Sequence, residues 1–170
     1  SRQAFNSTRT VNEMNATDKS LLIVAHTPSA NTRTLSKSIL EGAQSDIIKD
    51  VKAELVSPFD CDSERVLASD AIILFTTENF AYMSGALKDF FERIYYPCLE
   101  EKQGLSMALY IKAGNDGQGA KNSVERITTG LRWNHVQPPL ILSGDYQPEF
   151  AKACHELGAG MAEGVKLGIF

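Results

Sequence analysis

The stretch AIILFTTENFAYMSGALKDFFERIYYP, residues 71–97, predicts a strand followed by a helix. Its opening run, residues 71–75, is continuously apolar, which is typical of a strand buried on both faces of a sheet. Phe90 and Ile94 then lie at helical spacing, and Pro97 predicts the end of the helix. The connection between strand and helix carries Asn, Phe and Tyr side chains, where a short polar turn would suffice. We therefore expect this loop to do more than connect two elements.

Strand and helix patterns alternate along the chain after residue 19. The predicted strands are 21–25, 51–56, 71–75, 107–111 and 140–142, and the last helix is expected over 149–167. Such alternation is typical of a parallel sheet with crossover helices on both faces. Only VKAELV, residues 51–56, alternates apolar and polar residues, which favours an edge position. The sequence thus predicts an α/β fold, a three-layer α/β/α sandwich with a five-stranded parallel sheet of order 2-1-3-4-5.

The composition is that of an ordinary globular protein. Apolar residues make up 43% of the 170 residues and charged residues 22%, and the net charge is −4. No apolar run is long enough to cross a membrane, no secretory signal pattern is visible, and no Lys/Arg cluster predicts nucleic-acid binding. Cys61, Cys98 and Cys154 are far apart with no C-x-x-C, so we expect reduced thiols in a cytoplasmic protein.

The first residues differ from the rest of the chain. Residues 1–19 show no sustained period and few apolar anchors, and they predict a flexible or loosely docked arm. Residues 20–170 are expected to form one domain.

Three loops should meet at the carboxyl ends of the strands, where sheets of this order bind ligands. The first, HTPSANTRT (26–34), carries hydroxyl and amide side chains just before a helix, an arrangement that suits a phosphate group. Helix capping alone would explain one of these residues but not all of them. The candidate phosphate ligands are Thr27, Ser29, Asn31 and Thr32.

The second loop, TTENFAYMS (76–84), combines aromatic side chains with amides, which suits a flat ring edged with heteroatoms. The alternative is that its aromatic residues simply cover the end of the sheet. Glu78 would disfavour a negatively charged ring beside it, or else points to solvent. The candidate ring contacts are Thr77, Glu78, Asn79, Phe80, Ala81 and Tyr82.

The third loop, AGNDGQGAKNS (113–123), is rich in glycine, which lets backbone approach a ligand closely. It is neither a Walker loop, because Ala120 precedes Lys121, nor a dinucleotide fingerprint, because the third glycine is missing. A loose turn is the alternative. The candidates here are Gly114, Asn115, Asp116, Gly117 and Gly119. Together the loops outline a mononucleotide, with its phosphate in the first loop and a planar ring between the second and third.

The second loop and the helix after it resemble a known pattern. It is T-P-x-x-F-G-x-M-S-G-x-L-K-x-F-x-D-R, from the NAD(P)H-dependent FMN reductase and quinone reductase branch of the flavodoxin-like superfamily. Here the segment reads Thr76-Thr77-Glu78-Asn79-Phe80-Ala81-Tyr82-Met83-Ser84-Gly85-Ala86-Leu87-Lys88-Asp89-Phe90-Phe91-Glu92-Arg93. Residues 29–32 are similar to the family's S-x-x-G-N-T phosphate loop without its glycine. Thr77 replaces the usual Pro and Ala81 the usual Gly, so we expect a negative φ at Ala81.

The resemblance implies noncovalently bound FMN. Ser29, Asn31 and Thr32 would hold its phosphate, with residues 77–82 and 114–119 on either side of the isoalloxazine. The implied activity takes hydride from NAD(P)H and reduces a quinone, flavin or similar small acceptor, with no catalytic side chain because flavin N5 carries the chemistry. No metal site is expected, and the resemblance implies a homo-oligomer. The alternatives are a flavodoxin-type electron carrier and a binding or regulatory protein without catalytic activity.

Overall fold

The computed structural model describes residues 18–170, in which strands and helices alternate. The elements are β1 (Lys19–Ala25), α1 (Ala30–Ala43), β2 (Val51–Val56), a 3-10 turn (Pro58–Asp60), α2 (Ser63–Leu67), β3 (Ala71–Thr77), α3 (Gly85–Leu99), β4 (Ser106–Ala113), α4 (Gln118–Gly130), β5 (Asn134–His135), β6 (Leu140–Ser143) and α5 (Pro148–Leu167). Residues 1–17 of the predicted arm lie outside the described part, and Lys19 already belongs to β1.

The sheet confirms the predicted order. The strands run β2-β1-β3-β4, and both β5 and β6 pair with β4, with every pairing parallel. β2 is at the edge, as its alternating pattern predicts. The fifth position is divided between two short strands because Pro138 and Pro139 lie between them, and proline has no amide to donate to the ladder.

Helices cover both faces of the sheet, which confirms the three-layer architecture. α1 and α5 bury one core, to which Leu35, Ile39 and Met161 contribute. α3 and α4 bury the other, which includes Phe90 and Val124. The strands feed both cores with alternate residues, so β1, β3 and β4 are buried on both sides.

α1 and α5 cross backbone to backbone. A Cβ on Gly42 would lie 2.0 Å from the carbonyl oxygen of His155, and one on Gly158 would lie 2.1 Å from that of Ile39. Such distances leave no room for a side chain, so the two glycines set how closely the helices approach.

The predicted end of α3 at Pro97 is wrong. The helix continues to Leu99 with Pro97 inside its last turn, where the missing amide removes only one helical bond. Among residues 18–170, no helix combines the length and the apolar character needed to cross a membrane.

Candidate functional site

The loops after β1, β3 and β4 lie side by side at the carboxyl ends of the strands. We call this end of the sheet the rim. Hydrogen bonds continue the strand pairing past the strand ends. The amide of His26 donates to the Phe75 carbonyl at 3.2 Å, and that of Glu78 donates to the Lys112 carbonyl at 3.0 Å. The parallel sheet therefore brings the three predicted loops together.

The first loop is shorter than predicted. α1 begins at Ala30, so Asn31 and Thr32 lie in its first turn. Ser29 caps the helix: the Thr32 amide donates to Ser29 Oγ at 3.2 Å, and the Ser29 amide donates to Thr32 Oγ1 at 3.0 Å. This reciprocal capping box accounts for two candidate phosphate ligands, where the sequence argument allowed capping for only one.

Within the part of the chain that the structure describes, several groups at this helix start are available to an anion. The amides of Ala30 and Asn31 have no acceptor within the helix, because the first amides of a helix never do. Asn31 is exposed and Thr27 half-buried. None of residues 26–34 has a positive φ, so the glycine absent from this loop is not required by its backbone. Burial lowers the pKa of His26, so this side chain is neutral near pH 7 and adds no charge.

The second loop contains a tight turn with an unusual backbone. Asn79 and Tyr82 exchange two backbone hydrogen bonds, of 2.9 and 3.0 Å, around Phe80 and Ala81. Phe80 has φ 53° and Ala81 has φ 56°. The expected negative φ at Ala81 is therefore wrong, because a two-residue turn of this type needs positive φ at both central positions. Glycine usually fills such positions, and an L-residue there costs roughly 1–2 kcal/mol.

The turn projects its aromatic residues outward. Phe80 is fully exposed and Tyr82 is 42% exposed. The alternative interpretation required Phe80 to cover the end of the sheet, and its exposure contradicts this. Hydrogen bonds to hydroxyl side chains, one buried and one part-buried, hold the base of the loop instead. The Ser84 amide donates to Thr76 Oγ1 at 2.9 Å, and the Met83 amide donates to Ser123 Oγ at 3.0 Å.

Glu78 links the second loop to α4. Its Oε2 accepts a hydrogen bond from the Ala120 amide at 3.4 Å. Gly117, the N-cap of α4, has no side chain to cap the helix. Glu78 thus supplies a carboxylate to the positive end of a neighbouring helix, a position that neither sequence interpretation anticipated.

Gly119 packs against the backbone of the second loop and does not face open space where a ligand could lie. A Cβ at this position would lie 2.0 Å from the Ala81 carbonyl oxygen, so the strained turn packs directly on the start of α4. Gly117, with φ 73°, is buried against the Ile141 side chain. Between the end of β4 and the start of α4, residues 114–116 are exposed, and Asp116 Oδ1 accepts from the Gln118 amide at 3.0 Å.

A fourth loop at the rim was missed by the sequence analysis. Residues 144–147 follow β6, and the Gly144 amide donates to the Ala113 carbonyl at 2.9 Å. Lys112 ties this loop down, because its Nζ donates to the Gly144 carbonyl and lies 5.9 Å from the centre of the Phe150 ring. The signal was a single Lys in an otherwise apolar strand, MALYIKA.

The remaining candidates for chemistry are the metal-ligating side chains and the cysteines. No three His, Cys, Asp or Glu side chains within residues 18–170 are grouped so that they could hold a metal ion. All three cysteines are free and buried, and burial raises the pKa of Cys61 and of Cys154 to about 12. Such thiols stay protonated and are poor nucleophiles.

No family model matches the sequence, and no curated protein matches it either. Solved structures do. A flavodoxin from the domain Archaea matches with a TM-score of 0.74 and 20% identity, over 86% of this chain and 99% of that one. An oxidoreductase from Corynebacterium diphtheriae matches with a TM-score of 0.66 and 14% identity, over 89% of this chain and 98% of that one. The flavodiiron core of Flv1 from Synechocystis matches with 0.67 and 13%, over 97% of this chain but 40% of that one. The fold is flavodoxin-like.

At these identities the likeness concerns the fold. In flavodoxin-like sheets the ligand crevice lies at the switch point between the first and third strands. In this chain the capped start of α1 and the Asn79–Tyr82 turn flank that point, since β1 and β3 are neighbours in the sheet.

Proposed function

We propose that the protein binds FMN at the rim and acts as an NAD(P)H-dependent oxidoreductase that reduces a quinone, a flavin or a similar small acceptor. The observation that carries the proposal is the convergence of three features at one edge of a flavodoxin-like sheet. They are the free amides at the start of α1, the outward turn at Phe80 and Ala81, and the exposed residues 114–116. The likeness of residues 76–93 to the reductase pattern supports the choice of an enzyme.

The residues at the start of α1 fit a phosphate group. The amides of Ala30 and Asn31 point along the helix axis toward its positive end, and Asn31 and Thr27 add side-chain donors. Ser29 and Thr32 preserve this geometry through their mutual hydrogen bonds, at 3.0 and 3.2 Å. We assign them the role of shaping the loop first and contacting phosphate second.

The residues of the second and third loops fit a planar ring, but not in the sandwich that the sequence suggested. Ala81 already occupies the space beside Gly119, and Glu78 bonds the Ala120 amide. We therefore propose that the ring lies against the exposed side of Asn79 and Phe80 and against residues 114–116.

Bound FMN supplies the hydride and electron chemistry from its own ring. The chain's residues would bind and orient it: the rigid turn fixes the backbone groups beside the ring, and Phe80 shields the ring from water. Glu78 would act through the position of α4 and the turn, since its carboxylate is engaged there. Lys112 would fix the third and fourth loops relative to each other. No side-chain nucleophile is required.

An electron carrier is the second candidate, and the match to nearly the whole length of an archaeal flavodoxin supports it. Oxidation of NADH and NADPH by the FMN-loaded protein, with menadione as acceptor, separates the two. Steady turnover supports the oxidoreductase. FMN binding without turnover supports the carrier, and no FMN binding points to a binding or regulatory protein.

Two further proposals accompany this function. The three buried free thiols are suited to a reducing compartment, which supports a cytoplasmic location. A homo-oligomer follows from the resemblance to the reductase branch, and size-exclusion chromatography with light scattering tests it.

A further inference from the structure

A cavity of about 500 Å³ opens between α3 and α4, just below the Asn79–Tyr82 turn. Its volume is in the range of small-molecule sites. Tyr82, Lys88, Asn122, Arg126 and Ile127 contribute the side chains that matter for its chemistry.

The cavity carries two cations. Lys88 enters it from α3 and Arg126 from α4, and no carboxylate is among its lining residues. Lys88 Nζ bonds Glu92 at 3.1 Å, which keeps its ammonium charged while other donors stay free. Arg126 forms no ion pair with any residue of the described chain. An anion entering here would find a guanidinium that can bind it through two hydrogen bonds.

The cavity also offers an aromatic and apolar wall. Tyr82 is 42% exposed as a residue, and Ile127 lies between this cavity and a groove of about 280 Å³ that continues past Tyr95 and Tyr96. The two spaces share Lys88 and Ile127. A planar apolar body therefore has a surface on which to lie while its charged group meets the cations.

This cavity is distinct from the site proposed for FMN. Ala81 and Gly119 line its upper end and pack against each other, with the Glu78–Ala120 hydrogen bond beside them. Asn79, Phe80 and residues 114–116, against which we place the FMN ring, do not line this cavity. A ligand inside it would therefore lie along the helices rather than across the strand ends.

We propose that this cavity binds a planar aromatic carboxylate, whose carboxylate pairs with Arg126 and Lys88 and whose ring lies on Tyr82 and Ile127. The inference does not rest on FMN binding. It assigns α3 and α4 a ligand site of their own, next to the turn that also borders the rim.

The test is calorimetric titration of the full-length protein with 2-naphthoate and with its neutral analogue 2-naphthalenemethanol. We expect saturable one-to-one binding of 2-naphthoate and weaker binding of the alcohol. Arg126→Gln should weaken 2-naphthoate by about tenfold or more, as expected when a charge-assisted hydrogen bond is lost.

Lys121→Gln is the matched control. Lys121 also lies on α4 and carries the same charge, but it pairs with Glu125 at 3.7 Å and does not line the cavity. Its variant should bind 2-naphthoate as the wild type does. Equal losses in both variants, an unchanged affinity in Arg126→Gln, or no binding at millimolar 2-naphthoate would each overturn the proposal.

Discussion

Ala81 carries backbone strain that a glycine would relieve. Its φ of 56° lies in the left-handed region, where a Cβ meets the following carbonyl. We predict that Ala81→Gly stabilises the protein by about 0.5–1 kcal/mol, since relief of strain exceeds the entropy that glycine adds to the unfolded chain. Urea unfolding measures this change.

Ala86→Gly is the control, because Ala86 lies in the first turn of α3 and the substitution should destabilise by up to about 1 kcal/mol. If both variants lose stability alike, Ala81 is not strained in the way that its φ implies.

Gly119 holds the turn against α4. Because a Cβ there would lie 2.0 Å from the Ala81 carbonyl, we predict that Gly119→Ala destabilises by about 1–3 kcal/mol, the usual range for overpacking. Gly85→Ala is the matched control, since a Cβ on Gly85 meets nothing within 4 Å. Thermal unfolding of the two variants should differ clearly, and equal midpoints would mean that the turn does not pack on Gly119 in solution.

At the scale of elements, the crossing of α1 and α5 depends on glycine. We predict that Gly158→Ala destabilises by about 1–3 kcal/mol, because its Cβ would lie 2.1 Å from the Ile39 carbonyl. Gly160→Ala, in the same helix, meets only the Gln137 side chain at 3.5 Å and should stabilise by up to about 1 kcal/mol. Guanidinium unfolding measures the change in the free energy of unfolding for each variant. Changes of opposite sign support the close helix crossing, and changes of the same sign contradict it.

Buried thiols make the helical layers sensitive to alkali. Burial raises the pKa of Cys154 from 9.0 to about 12, so the folded state keeps its thiol proton where the unfolded state loses it. The free energy of unfolding should therefore fall as the pH rises above about 9, since the folded state then binds more protons. The slope should be shallower in Cys154→Ala, and an unchanged slope would show that this thiol does not contribute.

Helices and strands could be predicted from the sequence where the spacing of apolar residues determines them. They could not be predicted where a single contact determines where an element begins or ends. The runs at 21–25 and 71–75 indicate buried strands because burial on both faces demands continuous apolar residues. The division of the last strand follows from two prolines whose effect on the ladder depends on its register with β4. The predicted end of α3 was wrong because a proline in the last turn of a helix removes only one backbone hydrogen bond.

For the molecule as a whole, the sheet order predicted the rim, and tertiary contacts decided what each rim residue does. Glu78 caps α4, and Gly119 accommodates Ala81, because the turn and the helix pack together although they lie far apart in the sequence. No local pattern encodes that contact. The fourth loop was missed for the same reason, since Gly144 joins the rim through the pairing of β6 with β4 and through its contact with Lys112.

The central claim is that the rim binds FMN, with the start of α1 holding the phosphate. Titration of FMN into the chromophore-free protein, followed by quenching of FMN fluorescence, tests it most directly. The account predicts saturable one-to-one binding. Asn31→Asp, which sets a carboxylate beside the phosphate, should weaken that binding by about tenfold or more. The same change at exposed Asn134, in β5, should have no effect. No quenching at any FMN concentration, or equal affinities in the two variants, would contradict the account.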